Sequence, residues 1–385
     1  RVLFRSNESV STKMDGPKKV YKGKKLRIAI IGCGGIAQSH LNAYKNMPEV
    51  EIVAGVDIVK DRLEVMRDKW GVPEENLFGA DMKTGKVTSE TAWLEMIKKV
   101  KPDAVDVCTP NGLHMQPVVD ACKAGCHAMV EKPMAMTPAE CEKMIAAAEK
   151  AKVKLSVGFQ QRYRDVSFAM NKARDNGVFG DIFFVKVKAL RRRGIPNWGV
   201  FGQKELQGGG PLIDIGVHML EAAYEFMGCP KPVAASANVW TYMGNKPSET
   251  LSVWPGWDWK TYTVEDFAAG QIRFENGAIL QIESSFAAHI KEDIHDWEAV
   301  GTKGGCKWST AEIYTDYNGL MVNTQPNFIG KNDWETIFAR KLQNWVDGCL
   351  KGTELDASGY DGLAVQKMLD GIYRSAAAGK EVTIK

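Results

Sequence analysis

One strand–turn–helix unit near the start of the chain constrains the fold more than any other feature. The stretch IAIIGCGGIAQSH spans residues 28–40. The apolar run 26–31 has the length and composition of a buried strand, and residues 36–47 carry a helical pattern. Between them Gly32, Gly34 and Ala37 stand in G-x-G-x-x-A spacing. Gly32 permits the tight turn, Gly34 lets the backbone approach a pyrophosphate, and Ala37 allows close packing of helix on strand. Gly35 and Ile36 open the helix, whose N-terminus attracts an anion. A second apolar run, 51–56, ends in Asp57. A carboxylate there accepts hydrogen bonds from ribose hydroxyls and repels a 2′-phosphate. Ile58 follows it, with no arginine in that place to pair with such a phosphate, although Lys60 and Arg62 are near. The expected cofactor is therefore NAD, favoured over NADP.

The alternation continues. Apolar runs at 104–108, 127–130 and 154–159 read as strands, and 61–70, 115–124 and 138–151 as helices. That pattern predicts an α/β fold with a doubly wound parallel sheet over residues 25–157. After residue 180 the runs 181–190, 263–286 and 297–308 alternate apolar and polar residues, with the turns ENG and TKGG inside them. Residues 158–385 are thus expected to form an α+β domain with a large, mostly antiparallel open sheet. Helices near 333–350 and 360–378 close the chain and are expected to pack back on the first domain. Long half-polar strands leave a sheet face that needs cover, so a homodimer or homotetramer is expected.

Composition narrows the function classes. Fifty basic residues against 47 acidic give a net charge of +3 in 385 residues, which makes no case for nucleic acid or a membrane surface. No apolar run is long enough to span a bilayer. None of the eight cysteines forms a C-x-x-C pair, so no metal is expected, and they read as reduced thiols of a cytoplasmic protein. The chain begins with Arg1, and its first residues, RVLFRS, read as a translated sequencing adapter. Residues 1–24 are expected to be a disordered tail without an export signal.

Two loops follow strands of the first domain and face the crevice where such sheets bind ligands. One is CTPNGLH, with Thr109, Pro110, Asn111 and His114; the other is VEKPMAM, with Glu131 and Lys132. Further on, GGGPLIDIGVHML places three glycines before Asp214 and His218, four residues apart and so on one face of a helix. The same face carries Glu221 and Glu225, and a solvated polar stripe explains that spacing equally well. In order, these motifs resemble the glucose–fructose oxidoreductase / inositol dehydrogenase family, the Gfo/Idh/MocA oxidoreductases, from residue 26 to about 310. The resemblance implies an N-terminal Rossmann domain and a C-terminal α/β domain whose open sheet often forms an oligomer interface. It implies that Lys132, Asp214 and His218 form the catalytic constellation. It also implies that the 109–114 loop, Glu131, Lys132, Gln160 and Arg162 lie along the dinucleotide. Arg162 and Trp198 are further substrate-side candidates.

The expected activity is NAD-dependent hydride transfer to or from a secondary alcohol of a sugar, polyol or sugar derivative. Imidazole has the right ordinary pKa for the base, which points to His218. Lys132 would stabilise the alkoxide, and Asp214 would hold a hydroxyl or orient the site. The glycines would let the loop pass close to the cofactor. An NAD-assisted glycoside hydrolase and a non-catalytic dinucleotide-binding regulator of the same fold remain alternatives.

Overall fold

The computed structural model describes residues 23–330 and 333–385. The tail expected over residues 1–24 falls almost wholly outside these residues. The chain opens with the expected alternation: β1 (Leu26–Ile31), α1 (Gly35–Tyr44), β2 (Val50–Val56) and α2 (Lys60–Trp70). A short β3 (Leu77–Phe78) and α3 (Trp93–Val100) follow, then β4 (Ala104–Val107), α4 (Met115–Lys123), β5 (His127–Val130), α5 (Pro138–Ala151) and β6 (Leu155–Val157). Apolar residues fill both faces of β1 and β4, as a strand covered by helices on either side requires. Thr137 and Glu140 form a reciprocal capping box that starts α5, with Pro138 at its first position.

These strands form one parallel six-stranded sheet in the order β3-β2-β1-β4-β5-β6. Strand order reverses at β1, where Ile28 pairs with Ile52 on one side and Ala104 on the other. That is the switch point at which open α/β sheets bind ligands.

The second half runs α6 (Asp165–Asp175), β7 (Ile182–Leu190), a short α7 (Lys204–Gln207), α8 (Val217–Phe226), β8 (Pro232–Trp240), β9 (Phe267–Phe274) and β10 (Ile279–Ser285). Then come β11 (Ile294–Gly301), β12 (Gly304–Lys307), β13 (Glu312–Tyr317), β14 (Leu320–Thr324), α9 (Trp334–Lys351), α10 (Gly359–Ala378) and β15 (Val382–Thr383). Its nine-stranded sheet has the order β14-β13-β12-β11-β7-β10-β9-β8-β15. β7 and β10 pair in parallel, and the other neighbours are antiparallel. ENG and TKGG turn the β9–β10 and β11–β12 hairpins, as expected.

Both closing helices return to the first domain. α9 buries Phe338, Leu342, Trp345 and Val346 in one core with Leu41 and Tyr44 of α1. At the start of α10, Ala357 O accepts from the Ser156 hydroxyl and the Val157 N–H of β6. The substrate-side sheet is therefore tied to the strand ends of the first sheet by the last fifty residues of the chain.

Candidate active site

The phosphate loop has the shape that a pyrophosphate requires. Gly32 has φ +85°, and a Cβ there would sit 2.8 Å from the Cys108 carbonyl carbon and the Thr109 nitrogen. A Cβ on Gly35 would meet nothing, so the mouth of the loop is open. Gly34 caps α1 without a side chain, and the first turn holds no acidic residue. Ala37 is fully buried, while Ile36 packs against the neighbouring core from a half-buried position. The helix N-terminus is thus left to an anion. Asp57 is buried and braces the loop: Oδ2 accepts the Cys33 N–H at 2.8 Å, and Oδ1 the Val59 N–H at 2.9 Å. Arg62 pairs with it at 3.4 Å from a half-exposed position, and Ile58 beside it is exposed. The residues present fit a dinucleotide: the α1 N-terminus would hold its phosphates and Asp57 a ribose.

The two crevice loops differ in what they hold. Thr109 Oγ1 donates to Leu113 O at 3.0 Å, with Pro110 exposed beside it. Asn111 Nδ2 donates to Gln207 O at 3.0 Å, joining this loop to the segment just before the glycines. His114 is buried, with Nδ1 2.9 Å from Pro133 O and Nε2 2.8 Å from Thr109 O. The ring thus lies between carbonyls of the two loops, and because burial holds its pKa below the ordinary value, the neutral imidazole donates to one of them. Glu131 is also buried, and its Oε2 accepts the Lys132 N–H at 3.1 Å.

Lys132 reaches across to the second domain. Its Nζ donates to Asp214 Oδ1 at 3.1 Å and to Asp214 O at 2.8 Å. Asp214 sits in a wide π-helical turn, Leu212–Gly216, that runs directly into α8. The spacing of four to His218 therefore spans a wider first turn than the α-helix expected from sequence. The glycine run also has a different reason from the expected one. Gly208 has φ +82°; a Cβ on Gly209 would fall 2.1 Å from Tyr373 Oη, and one on Gly210 2.1 Å from Glu265 O. The close approach is to the protein itself. Glu265 is buried and accepts the N–H groups of Gly210 (2.9 Å) and Leu212 (3.2 Å), while Tyr373 donates to Oε1 at 2.8 Å. Glu265 thereby caps the helix that carries Asp214 and His218. The sequence reading missed both residues; Glu265 lies 55 positions from Gly210 and only tertiary packing joins them.

The pKa of His218 is strongly depressed. Burial, and then the positive charge of Lys132, hold it well below the ordinary imidazole value. Nδ1 is buried, and no described residue gives it a hydrogen bond. Two corrections concern the rest of the helix. Glu221 is buried, not part of a solvated stripe, and Glu225 accepts both its bonds from Asn171 Nδ2. Arg162 is buried as well: Nε donates to Glu221, one Nη to Asp356 O and the other to Asp361. The structure gives Arg162 to this ion network rather than to a ligand. Gln160 is buried beside it, with Oε1 lacking a partner among the described residues.

The family models agree with this reading. The description "Oxidoreductase family, NAD-binding Rossmann fold" matches residues 26–159, and "Oxidoreductase family, C-terminal alpha/beta domain" matches 172–384. The chain belongs to the Gfo/Idh/MocA oxidoreductase family. Among its relatives, D-glucoside 3-dehydrogenase of Escherichia coli is 35% identical over 372 residues, covering 95% of this chain and 100% of that one. The aldose-aldose oxidoreductase of Caulobacter crescentus, solved with glycerol, is 27% identical with a TM-score of 0.75, covering 94% and 100%. A levoglucosan dehydrogenase solved with NADH and levoglucosan shares the fold at 22% identity and a TM-score of 0.77, covering 94% and 100%.

This Gfo/Idh/MocA protein also carries an aromatic loop. Trp198 is exposed and meets Trp254 edge-on at 4.7 Å and Phe201 at 6.1 Å. Arg191 lies over the Trp254 ring at 4.9 Å. Burial lowers its pKa, and the charge of the Asp214 carboxylate opposes that shift. Among the described residues no helix is long and apolar enough to cross a membrane. All eight cysteines are free thiols, with Cys229 exposed, Cys349 half-buried and the others buried.

Proposed function

We propose that the protein is an NAD-dependent dehydrogenase that oxidises a secondary alcohol of a sugar or glycoside, with D-glucosides the leading substrate class. One observation carries the reading: the Lys132 ammonium, fixed by Asp214, stands beside an imidazole kept neutral by burial. That arrangement suits a hydroxyl that must lose a proton while its carbon loses a hydride. His218 takes the proton, since its depressed pKa leaves it unprotonated at neutral pH. Lys132 donates to the same oxygen and stabilises the developing alkoxide. Asp214 aims the Lys132 ammonium, and its remaining lone pairs suit a neighbouring hydroxyl. When bound, NAD supplies the hydride acceptor. Similarity to D-glucoside 3-dehydrogenase supports glucosides as substrates, and the exposed Trp198, packed edge-on against Trp254, suits the C–H face of a sugar ring.

The test is NADH absorbance across a panel of glucosides, free aldoses, polyols and sugar acids. Net NADH with glucosides supports the reading; aglycone release without net NADH replaces it with a hydrolase. For the cofactor, Asp57→Ala should erode the NAD preference, and a wild-type kcat/KM higher with NADP overturns the assignment. Free thiols and the half-polar nine-stranded sheet support a cytoplasmic homodimer or homotetramer. A monomer mass by light scattering at micromolar concentration would exclude that assembly.

A further inference from the structure

Beneath Lys132 lies a charge network that the proposed chemistry leaves unused. His40 of α1, Asp106 of β4, Glu131 at the end of β5 and Lys341 of α9 meet there, all buried. His40 Nδ1 is 2.6 Å from Asp106 Oδ2, and His40 Nε2 is 3.0 Å from Glu131 Oε1. Lys341 Nζ donates to Glu131 Oε1 at 2.6 Å. Tyr44 donates to Asp106 Oδ2 at 2.8 Å. Asp106 and Glu131 hold the His40 pKa above the ordinary imidazole value, although burial and the Lys341 charge oppose that shift.

His40, Asp106 and Cys108 lie close enough together to share a metal ion. The Lys341 ammonium, 2.9 Å from His40 Nε2, already fills the cation's role, so the network is not a metal site. Stability alone does not account for it either, because apolar side chains of the same volume serve a buried position as well or better. What it holds is main chain. The second oxygen of Glu131, Oε2, accepts the N–H of Lys132 at 3.1 Å. The tight fit extends to Gly158, where a Cβ would come 2.5 Å from Glu131 Oε1.

We propose that Lys341, His40 and Asp106 are positioning residues for the reaction, acting through Glu131 to fix the main chain that carries Lys132. The inference rests on the reading of Lys132 as the group that binds the reacting oxygen. Lys341 anchors Glu131 from a helix near the end of the chain. His40 and Asp106 fix the carboxylate from the other side. With Glu131 so held, the Lys132 ammonium reaches Asp214 and the substrate oxygen from one direction only. Displacement of a positioned group by about 1 Å can lower turnover roughly 10²-fold.

The experiment compares three variants of the full chain by kcat, NAD binding and chemical labelling. Lys341→Met removes the anchor, and kcat should fall roughly 10–100-fold while NAD affinity stays near wild type. Glu131→Met/Lys341→Met removes both charges, so no unpaired charge remains, and decides the matter if the single variant fails to fold. Its kcat should stay low, because the Lys132 N–H has then lost the Glu131 acceptor itself. Arg340→Met, one residue away on α9, breaks an ion pair with Asp165 and should keep kcat while losing stability. A folded double variant with wild-type kcat, or a folded Lys341→Met with no loss, overturns the proposal. A second readout needs no turnover: trinitrobenzenesulfonate labelling of Lys132 in the apoprotein, followed by peptide mass spectrometry. Faster labelling in both Lys341 variants supports positioning, and unchanged labelling overturns it. If the wild type turns over no sugar, the dehydrogenase reading fails, and the labelling still decides this one.

Discussion

Two buried ion networks flank the site, and they solve the same problem with different charge balance. Under Lys132, Glu131 and Asp106 face Lys341 and His40. Burial alone would raise the Glu131 pKa, but Lys341 and His40 hold it well below the ordinary carboxylate value. Under His218, Arg162 is the one cation bonded to both Glu221 and Asp361, and Glu225 adds its field. There burial dominates, and the Glu221 carboxyl is pushed up to about 8. A buried carboxylate stays ionised where cations match it and takes up a proton where they do not. Each network also ties one half of the constellation to one closing helix. α9 holds Lys132 through Lys341, and α10 holds the His218 helix through Asp361.

The largest effect expected belongs to the groups above the two networks. His218→Ala removes the base and should cost roughly 10²–10⁴ in kcat. Lys132→Ala removes an alkoxide donor and should cost about 10²–10³. Both should retain NAD binding, followed by tryptophan fluorescence, because neither side chain belongs to the phosphate loop. Near-wild-type turnover in either would show that the network beneath it serves something other than this chemistry.

Next comes the contrast along α8. Glu221→Ala removes a hydrogen-bond partner of the buried Arg162 guanidinium, which keeps Asp361 and Asp356 O, a loss that typically costs about 1.5–3 kcal/mol of stability. Glu225→Ala removes only the bonds from Asn171 and should cost about 1 kcal/mol. Urea denaturation reads both. Equal and small losses would mean that the two glutamates are a solvated stripe after all, and the second network would lose its meaning.

That contrast also shows where sequence reading stops. The strands β1, β2, β4 and β5 and the phosphate loop were legible because each is local: an apolar run, a turn, a helix. Lys132, Asp214 and His218 stood out once their motifs were read together, and Lys132 and Asp214 do meet. Glu221 could not be read. A glutamate three residues after His218 looks the same on a surface helix as beside a buried arginine, and Arg162 lies 59 positions away. Lys341 is harder still, a lysine on a terminal helix 301 positions from His40. The glycine run was read correctly as a place of close approach but assigned the wrong neighbour, since Tyr373 and Glu265 fill that space. The short β3, and β13 and β14 at the end of the second sheet, gave no strand signal, because only their sheet neighbours make them strands.

The pH response sharpens the comparison most, because the two networks should respond to pH with opposite sign. Glu221 has a folded-state pKa raised to about 8, above the ordinary carboxylate value of an unfolded chain. Between those two values the folded protein holds a proton that the unfolded chain has lost. Its contribution to stability is full below the unfolded pKa, declines as pH rises, and is gone above about 8. For one group the slope is at most about 1.4 kcal/mol per pH unit. Glu131 is depressed, so its contribution is present above the unfolded carboxylate value and falls away only in acid. His218, also depressed, adds stability above the ordinary imidazole value and loses it below, opposing Glu221 in part of the range. The difference between wild type and Glu221→Gln removes these shared terms, since glutamine keeps the shape but carries no proton to lose. Measured by urea denaturation from pH 5 to 9, the wild type should lose its advantage over Glu221→Gln as pH rises towards 8, then run parallel to it. A difference that stays flat through that range would place Glu221 among the ionised carboxylates, and the two networks would then be alike.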